Sequence, residues 1–409
     1  MYDFANSGYT TVVITAVFNA YFVAEVARNA PWATFAWTAA LAVSYAAIML
    51  AGPPLGAYAD AHAAKKRLLA GTTCGCILFT AALALVGRGD IGLGIACIVL
   101  SNFFFGLGEN LIAAFLPELA KGEAMGRISG WGWSLGYVGG LASLGICLVY
   151  VTHAQASGAG ATQFVPVTML LTAVLFALAS LPTFLYLRER VPAPVATHAA
   201  ADTIARLRDT LRHTRDHQDL ARFLVCLVFY QAGIQAVIAL AAIYAQEAMG
   251  FTTAETLSLI LIVNITAAAG AFLFGHFQDR LGHVRTIVLT LIGWIVVVLL
   301  AWAAESRVLF WLNANLVGLC LGSSQSAGRA LVGYLSPPSR TGEYFGLWGL
   351  AVKLSAIVGP ITYGTVTWVT GGNHRLAILV TGIYFVIGLG ILATIDVARG
   401  RRAALASAT

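Results

Sequence analysis

The feature that most constrains this chain is a succession of apolar runs, each about 20–25 residues long, cut by short basic loops. Twelve can be placed, at 7–27, 32–57, 68–87, 91–115, 127–151, 164–187, 221–246, 255–275, 286–304, 307–329, 343–368 and 374–395. At ~1.5 Å rise per residue, a helix of that length crosses a bilayer. Inside lipid the backbone must satisfy its own hydrogen bonds, so each run is expected to be a transmembrane α-helix. Composition agrees: of 409 residues, 59% are hydrophobic and only 10% charged, with a mean hydropathy of +0.81. A soluble domain carries about 25% charge. The first run is long enough to span and lacks a small-residue cleavage site, so it reads as a span rather than a removed signal.

Charge sets the expected orientation. Lys65, Lys66, Arg67, Lys121, Arg127, Arg280, Arg285, Arg340 and the tail Arg399, Arg401 and Arg402 fall in loops on one side, and the long loop 188–220 adds six more arginines. The other side keeps only Arg28, Arg88, Arg307 and Arg375. Basic loops stay inside, so both termini are expected in the cytoplasm. Arg outnumbers Lys 20 to 4 and Ala is abundant, which hints at a bacterium and so at its inner membrane, and a monomer is expected. The formal charge of +6 is thus spent on topology, and nucleic acid is not an expected partner. The long loop divides the chain into an N-terminal six-helix unit (1–190), a linker (191–220) and a C-terminal six-helix unit (221–409). Val191-Pro-Ala-Pro194 is a stiff start, and 202–219 alternates Arg and Asp around Ile204, Leu207 and Leu211. That pattern predicts an amphipathic helix on the membrane face.

The chain also repeats itself. Gly56-x-x-x-Asp60, with Lys66 beyond, follows span 2; Gly275-x-x-x-Asp279, with Arg285 beyond, follows span 8, displaced by 219 positions. Gly126-x-x-x-Gly130 opens span 5 and Gly342-x-x-x-Gly346 opens span 11, displaced by 216. Two unrelated pairs at nearly one displacement argue for duplication. The expected fold is therefore all-α and integral to the membrane, twelve helices in two six-helix pseudo-repeats. Parallel repeats of this kind resemble the major facilitator superfamily. Gly56 and Asp60, followed by Lys65-Lys66-Arg67, resemble that superfamily's loop between helices 2 and 3. The resemblance implies that Gly56 lets helices 2 and 11 touch and that Asp60 meets the start of helix 11, whose dipole favours an anion. Ala61-His-Ala-Ala64 replaces the usual residues of that loop, whereas Asp279-Arg-Leu-Gly282 keeps them.

More narrowly, three stretches are similar to the vacuole amino-acid effluxer family and its bacterial relatives. They are Tyr2-Asp-Phe-Ala-Asn-Ser-Gly-Tyr9, Leu116-Pro-Glu-Leu119 with Arg127 to Gly140, and Phe345-Gly-Leu-Trp348 with Lys353 and Gly359-Pro360. The resemblance implies a secondary transporter, and its fungal branch suggests amino-acid export.

The residues themselves point the same way. An ionised group inside a span costs at least ~2.5–3.5 kcal/mol, so it faces protein or water and usually serves function. Lys353 lies deep in span 11, on the face made by Gly342, Gly346 and Gly349. Glu109 lies in span 4, on a face with Asn102 and Gly106. One acid from the first repeat and one base from the second suggest a pair across a cavity, holding the ammonium and carboxylate of a small zwitterion. Glu109 is also the candidate carrier of a coupling proton; a salt bridge that only locks helices is the alternative. Displaced by 216, Gln325 falls on Glu109 and Lys353 on Tyr137, so each repeat keeps one charge. Asn19, Trp133, Gln231, Gln235 and Asn264 complete the candidate lining, with helix–helix contact as the alternative reading of the amides. Gate candidates are Asp3, Gly56, Asp60, Arg67, Asp279, Arg280 and Arg329; Asp3 also reads as a helix cap.

What is missing narrows the class. No phosphate-binding Walker loop, Ser-His-Asp set, metal spacing or cofactor motif stands out. Cys74, Cys76, Cys97, Cys147, Cys226 and Cys320 lie in apolar runs and are expected to be buried and inert. His276 and His283 flank a loop and are expected to face solvent. The expected partners are a small solute, protons and membrane lipid, with no cofactor. A larger amphiphilic cargo is the second reading, since tryptophans and phenylalanines can line an apolar cavity. An intramembrane enzyme is the alternative class; exchange without chemical change separates them.

Overall fold

The structure is a computed structural model that describes residues 1–120, 124–190, 217–247 and 249–406. Lys121 and positions 202–216 of the expected amphipathic helix lie outside the described residues. Among the described residues, twelve long helices follow one another: α1 Tyr2–Val26, α2 Ala33–Ala61, α3 Lys65–Leu85, α4 Ile91–Ala113, α5 Met125–Ala156, α6 Ala161–Tyr186, α7 Gln218–Glu247, α8 Thr253–Leu281, α9 His283–Ala303, α10 Arg307–Leu335, α11 Thr341–Val369 and α12 His374–Leu392. A short helix α13, Val397–Ala406, ends the described chain. The end of the bundle where α1 begins and α12 finishes is called basal, and the other distal.

Apolar length accounts for eleven of the twelve spans, which meet the length and hydropathy expected of a membrane crossing. The twelfth, α10, does not, and its packing says why. Ser323, Ser324, Ser326 and Arg329 on it are all buried in protein. A span enclosed by other helices need not be apolar all round. At the distal start of α8, Thr252 accepts from the Glu255 N–H and Glu255 reaches back to Thr252, a reciprocal cap. The first helix is less regular, widening to π turns at Thr10–Ala16 and Phe22–Val26.

The duplication read from the glycines becomes two equivalent helix crossings. In one, α2 meets α11: a Cβ added at Gly56 would strike the Gly342 carbonyl, and one at Gly346 would lie 2.6 Å from the Gly52 carbonyl oxygen. In the other, α8 meets α5, where a Cβ added at Gly275 would lie 2.9 Å from the Gly126 carbonyl oxygen and 3.0 Å from the Gly130 Cα. Only glycine allows backbones this near. Both crossings lie in the basal half and join the first six helices to the last six. Two large apolar cores flank them, one inside α1–α6 around Phe18, Phe22 and Trp37, the other inside α7–α12 around Trp294, Tyr230 and Phe385.

Candidate functional site: ion pairs along the seam

Lys353 and Glu109 meet across the seam between the two sets of six helices. The ammonium lies 3.3 Å from Glu109 Oε2. Helix polarity makes this reachable. Side chains lean toward a helix's N-terminus, α11 begins at the basal end and α4 at the distal end, so the two groups lean toward each other. Lys353 is buried, and the Glu109 side chain keeps 23% of its exposure, so the pair opens through the acid. Two rings complete the cage: Tyr45 of α2 at 5.4 Å from the ammonium and Phe105 of α4 at 5.9 Å. An aromatic face attracts a cation by its quadrupole, about 0.5–2 kcal/mol each. Below Lys353, Gly349 receives the Asn110 amide, so the glycine face of α11 runs from α2 onto α4.

A second cross-seam pair lies nearer the basal end. Arg329 of α10 holds both oxygens of Asp3 at 3.0 and 3.1 Å and donates to the Ser129 hydroxyl and carbonyl. Its guanidinium lies over Trp133, whose ring neighbours Tyr137. At the basal rim, Asp60 accepts from the N–H groups of Gly342 and Glu343, at 3.0 and 2.9 Å, where α11 begins. An anion there meets the positive end of the helix dipole. Lys65 then bridges Asp60 and Glu118 and donates to the Thr341 hydroxyl. The repeat-related Asp279 accepts from the Arg127 N–H at the start of α5. By contrast, the distal pairs Glu25–Arg88 and Glu255–Arg307 stay within their own six helices. The arrangement is a seam tied shut at its basal end.

Several expected residues fall elsewhere. Arg67 and Arg280 are exposed and take no described part in the rim; Lys65 does that work. Helix α3 begins at Lys65 rather than 68, which turns Lys65 inward and Arg67 outward. Asn102 is buried against Ser44 of α2 at 2.9 Å, and Asn264 donates to the Ile260 carbonyl of its own helix. Gln325 is joined to Gln231 at 2.9 Å within the last six helices. Gln235 and Asn19 are half-buried. His283, expected in solvent, is buried against Gln278 and Tyr334, with the tail's Arg401 over the same tyrosine. Cys74 is exposed, unlike the other five cysteines. Sequence reasoning missed Tyr45, Phe105, Ser129 and Thr341, and gave Lys65 and Glu118 no gate role. Glu118 had a signal, since it sits in the Leu116-Pro-Glu-Leu119 stretch.

A twelve-helix duplicated bundle with buried charges along its seam is a secondary transporter of the major facilitator type. Solved structures agree on the fold: the human organic anion transporter MFSD10 (TETRAN) superposes with a TM-score of 0.73 at 14% identity, covering 96% of this chain and 97% of its own. The proton:xylose symporter XylE gives 0.70 at 15% identity, covering 96% and 93%. The profile of the family described as vacuole effluxer Atg22 like matches residues 121–405, and the chain belongs to that family. Among its relatives, an MFS-type transporter of Bacillus subtilis (strain 168), YxiO, is 26% identical over 96% of this chain and 92% of its own length. Autophagy-related protein 22-1 of Aspergillus fumigatus is 26% identical over 69% of this chain, which spans 50% of that fungal protein.

Proposed function

We propose that this transporter moves a small zwitterion, such as an amino acid, by alternating access, and that Glu109 and Lys353 are its binding pair. The observation that carries the reading is the pair itself: one acid and one base, from different repeats, on the seam that must open. Cargo with an ammonium and a carboxylate replaces the pair by two equivalent ones, its ammonium on Glu109, Tyr45 and Phe105 and its carboxylate on Lys353. Glu109 keeps part of its exposure, and an ionised group in a span faces protein or water rather than lipid, which makes it the residue for a coupling proton. Residues 1–190 and 221–409 are the two bodies that rock, with the basal end facing the cytoplasm of a bacterial cell. Asp3, Arg329, Asp60 and Asp279 hold the basal gate in the closed state. The family's vacuole-effluxer description favours export.

The test is counterflow of a labelled amino-acid mixture in proteoliposomes, guided by a thermal-shift screen. A ligand stabilises by RT ln(1 + [L]/Kd), so a hit stands out at saturation. Glu109→Gln should abolish gradient-driven flux, and normal flux in that variant would sink the reading. The second reading, export of a larger amphiphile, is favoured by the Trp133–Tyr137 ring pair beside Arg329. Under it the screen returns drug-like compounds and no amino acid.

A further inference from the structure

A cavity opens at the basal end, and neither Glu109 nor Lys353 is among its lining residues. Its volume is about 400 Å³, and Ile112, Leu116, Ile128, Leu135, Pro182 and Leu187 form its apolar wall. At its mouth stand Leu119, Trp131 and Tyr186, which are 50%, 43% and 81% exposed. Apolar side chains this exposed at the end of a transmembrane bundle suit contact with the acyl chains of the basal leaflet. Its inner wall is different in kind, for Asp3, Gly132 and Arg329 line it too.

Among the described residues, the exposed charges at the rim are basic. Arg127 is exposed, with its guanidinium 5.6 Å from the ring of Trp131. Arg188 is exposed and directly follows the lining residues Tyr186 and Leu187. Lys66 donates to the Leu187 carbonyl at 2.6 Å. The described acids nearby are engaged: Asp3 by Arg329, Glu118 by Lys65 and the Arg190 N–H, and Glu189 by the first N–H groups of α3. What remains is an apolar slot with a basic mouth at the membrane surface.

We infer that this crevice holds one acyl chain of an anionic phospholipid, with its phosphate between Arg127 and Arg188. The bound lipid touches the Asp3–Arg329 pair from outside the seam, so the basal gate is in contact with the composition of its own leaflet. Neither Glu109 nor Lys353 lines the crevice, so the inference does not rest on that pair being the cargo site.

The test is native mass spectrometry of the delipidated full chain, titrated with palmitoyl-oleoyl phosphatidylglycerol or with the matching phosphatidylcholine. One phosphatidylglycerol should be retained in preference to phosphatidylcholine. A basic residue near a membrane surface is worth about fivefold in affinity for anionic lipid, so Arg127→Gln with Arg188→Gln should lower retention about 25-fold. Ile128→Trp fills the slot and should remove binding of both lipids, whereas Leu50→Trp on an exposed helix face should leave it unchanged. Equal retention of the two lipids by the wild type, or undiminished phosphatidylglycerol binding in the arginine variant or in Ile128→Trp, would overturn the inference.

Discussion

Single charges decide most of what this molecule can do. Cutting either partner from the Glu109–Lys353 pair strands the other in a poorly solvated place, and losing one member of a buried pair costs about 3–5 kcal/mol. Glu109 keeps a quarter of its exposure, so the cost here should sit at or below the lower end. Lys353→Met and Glu109→Gln should each lower the melting temperature in detergent, and the double variant should recover most of the loss. Additive losses would mean that the two groups do not act as a pair. Both residues were legible in the sequence because an ionised group inside an apolar run has few explanations. Tyr45 and Phe105 were not, because an aromatic among apolar residues looks the same whether it meets lipid or an ammonium. Lys65 was hidden differently: three bases stand in a row, and an error of one turn in the start of α3 chose Arg67 instead.

Between elements, backbone proximity replaces charge. Gly56→Ala forces its Cβ into the Gly342 carbonyl and should prise α2 from α11. The expected result is greater labelling of cysteines introduced on the basal side of the seam, with loss of the closed form. Gly71→Ala is the control, since nothing lies within 4 Å of a Cβ there. Alanine is favoured over glycine inside a helix by about 1 kcal/mol, so that variant should be neutral or slightly more stable. The pair of crossings was foreseeable from the glycine spacings, which recur at nearly one displacement. The burial of His283 was not, because it rests on contacts with Gln278 and with Tyr334 of α10, and a residue at a helix start carries no record of what docks on it.

For the molecule as a whole, the ties across the seam cluster at the basal end, so removing them should shift the population rather than unfold the bundle. Asp60→Asn weakens the cap on α11, and Arg329→Gln removes the Asp3 pair. Distances between spin labels on α2 and α11 at the basal end should lengthen in either variant, and unchanged distances would show that the ties do not hold the gate. The polar character of α10 reaches further back, to synthesis. A segment carrying Arg329 and three buried serines has little reason to leave the translocon for lipid by itself. Chains truncated just after Leu335 should fail to anchor that segment in a glycosylation-mapping assay, and chains extended through α11 should rescue it. The topology of this protein is then settled late, by partners that arrive after the ribosome has made the hesitant helix.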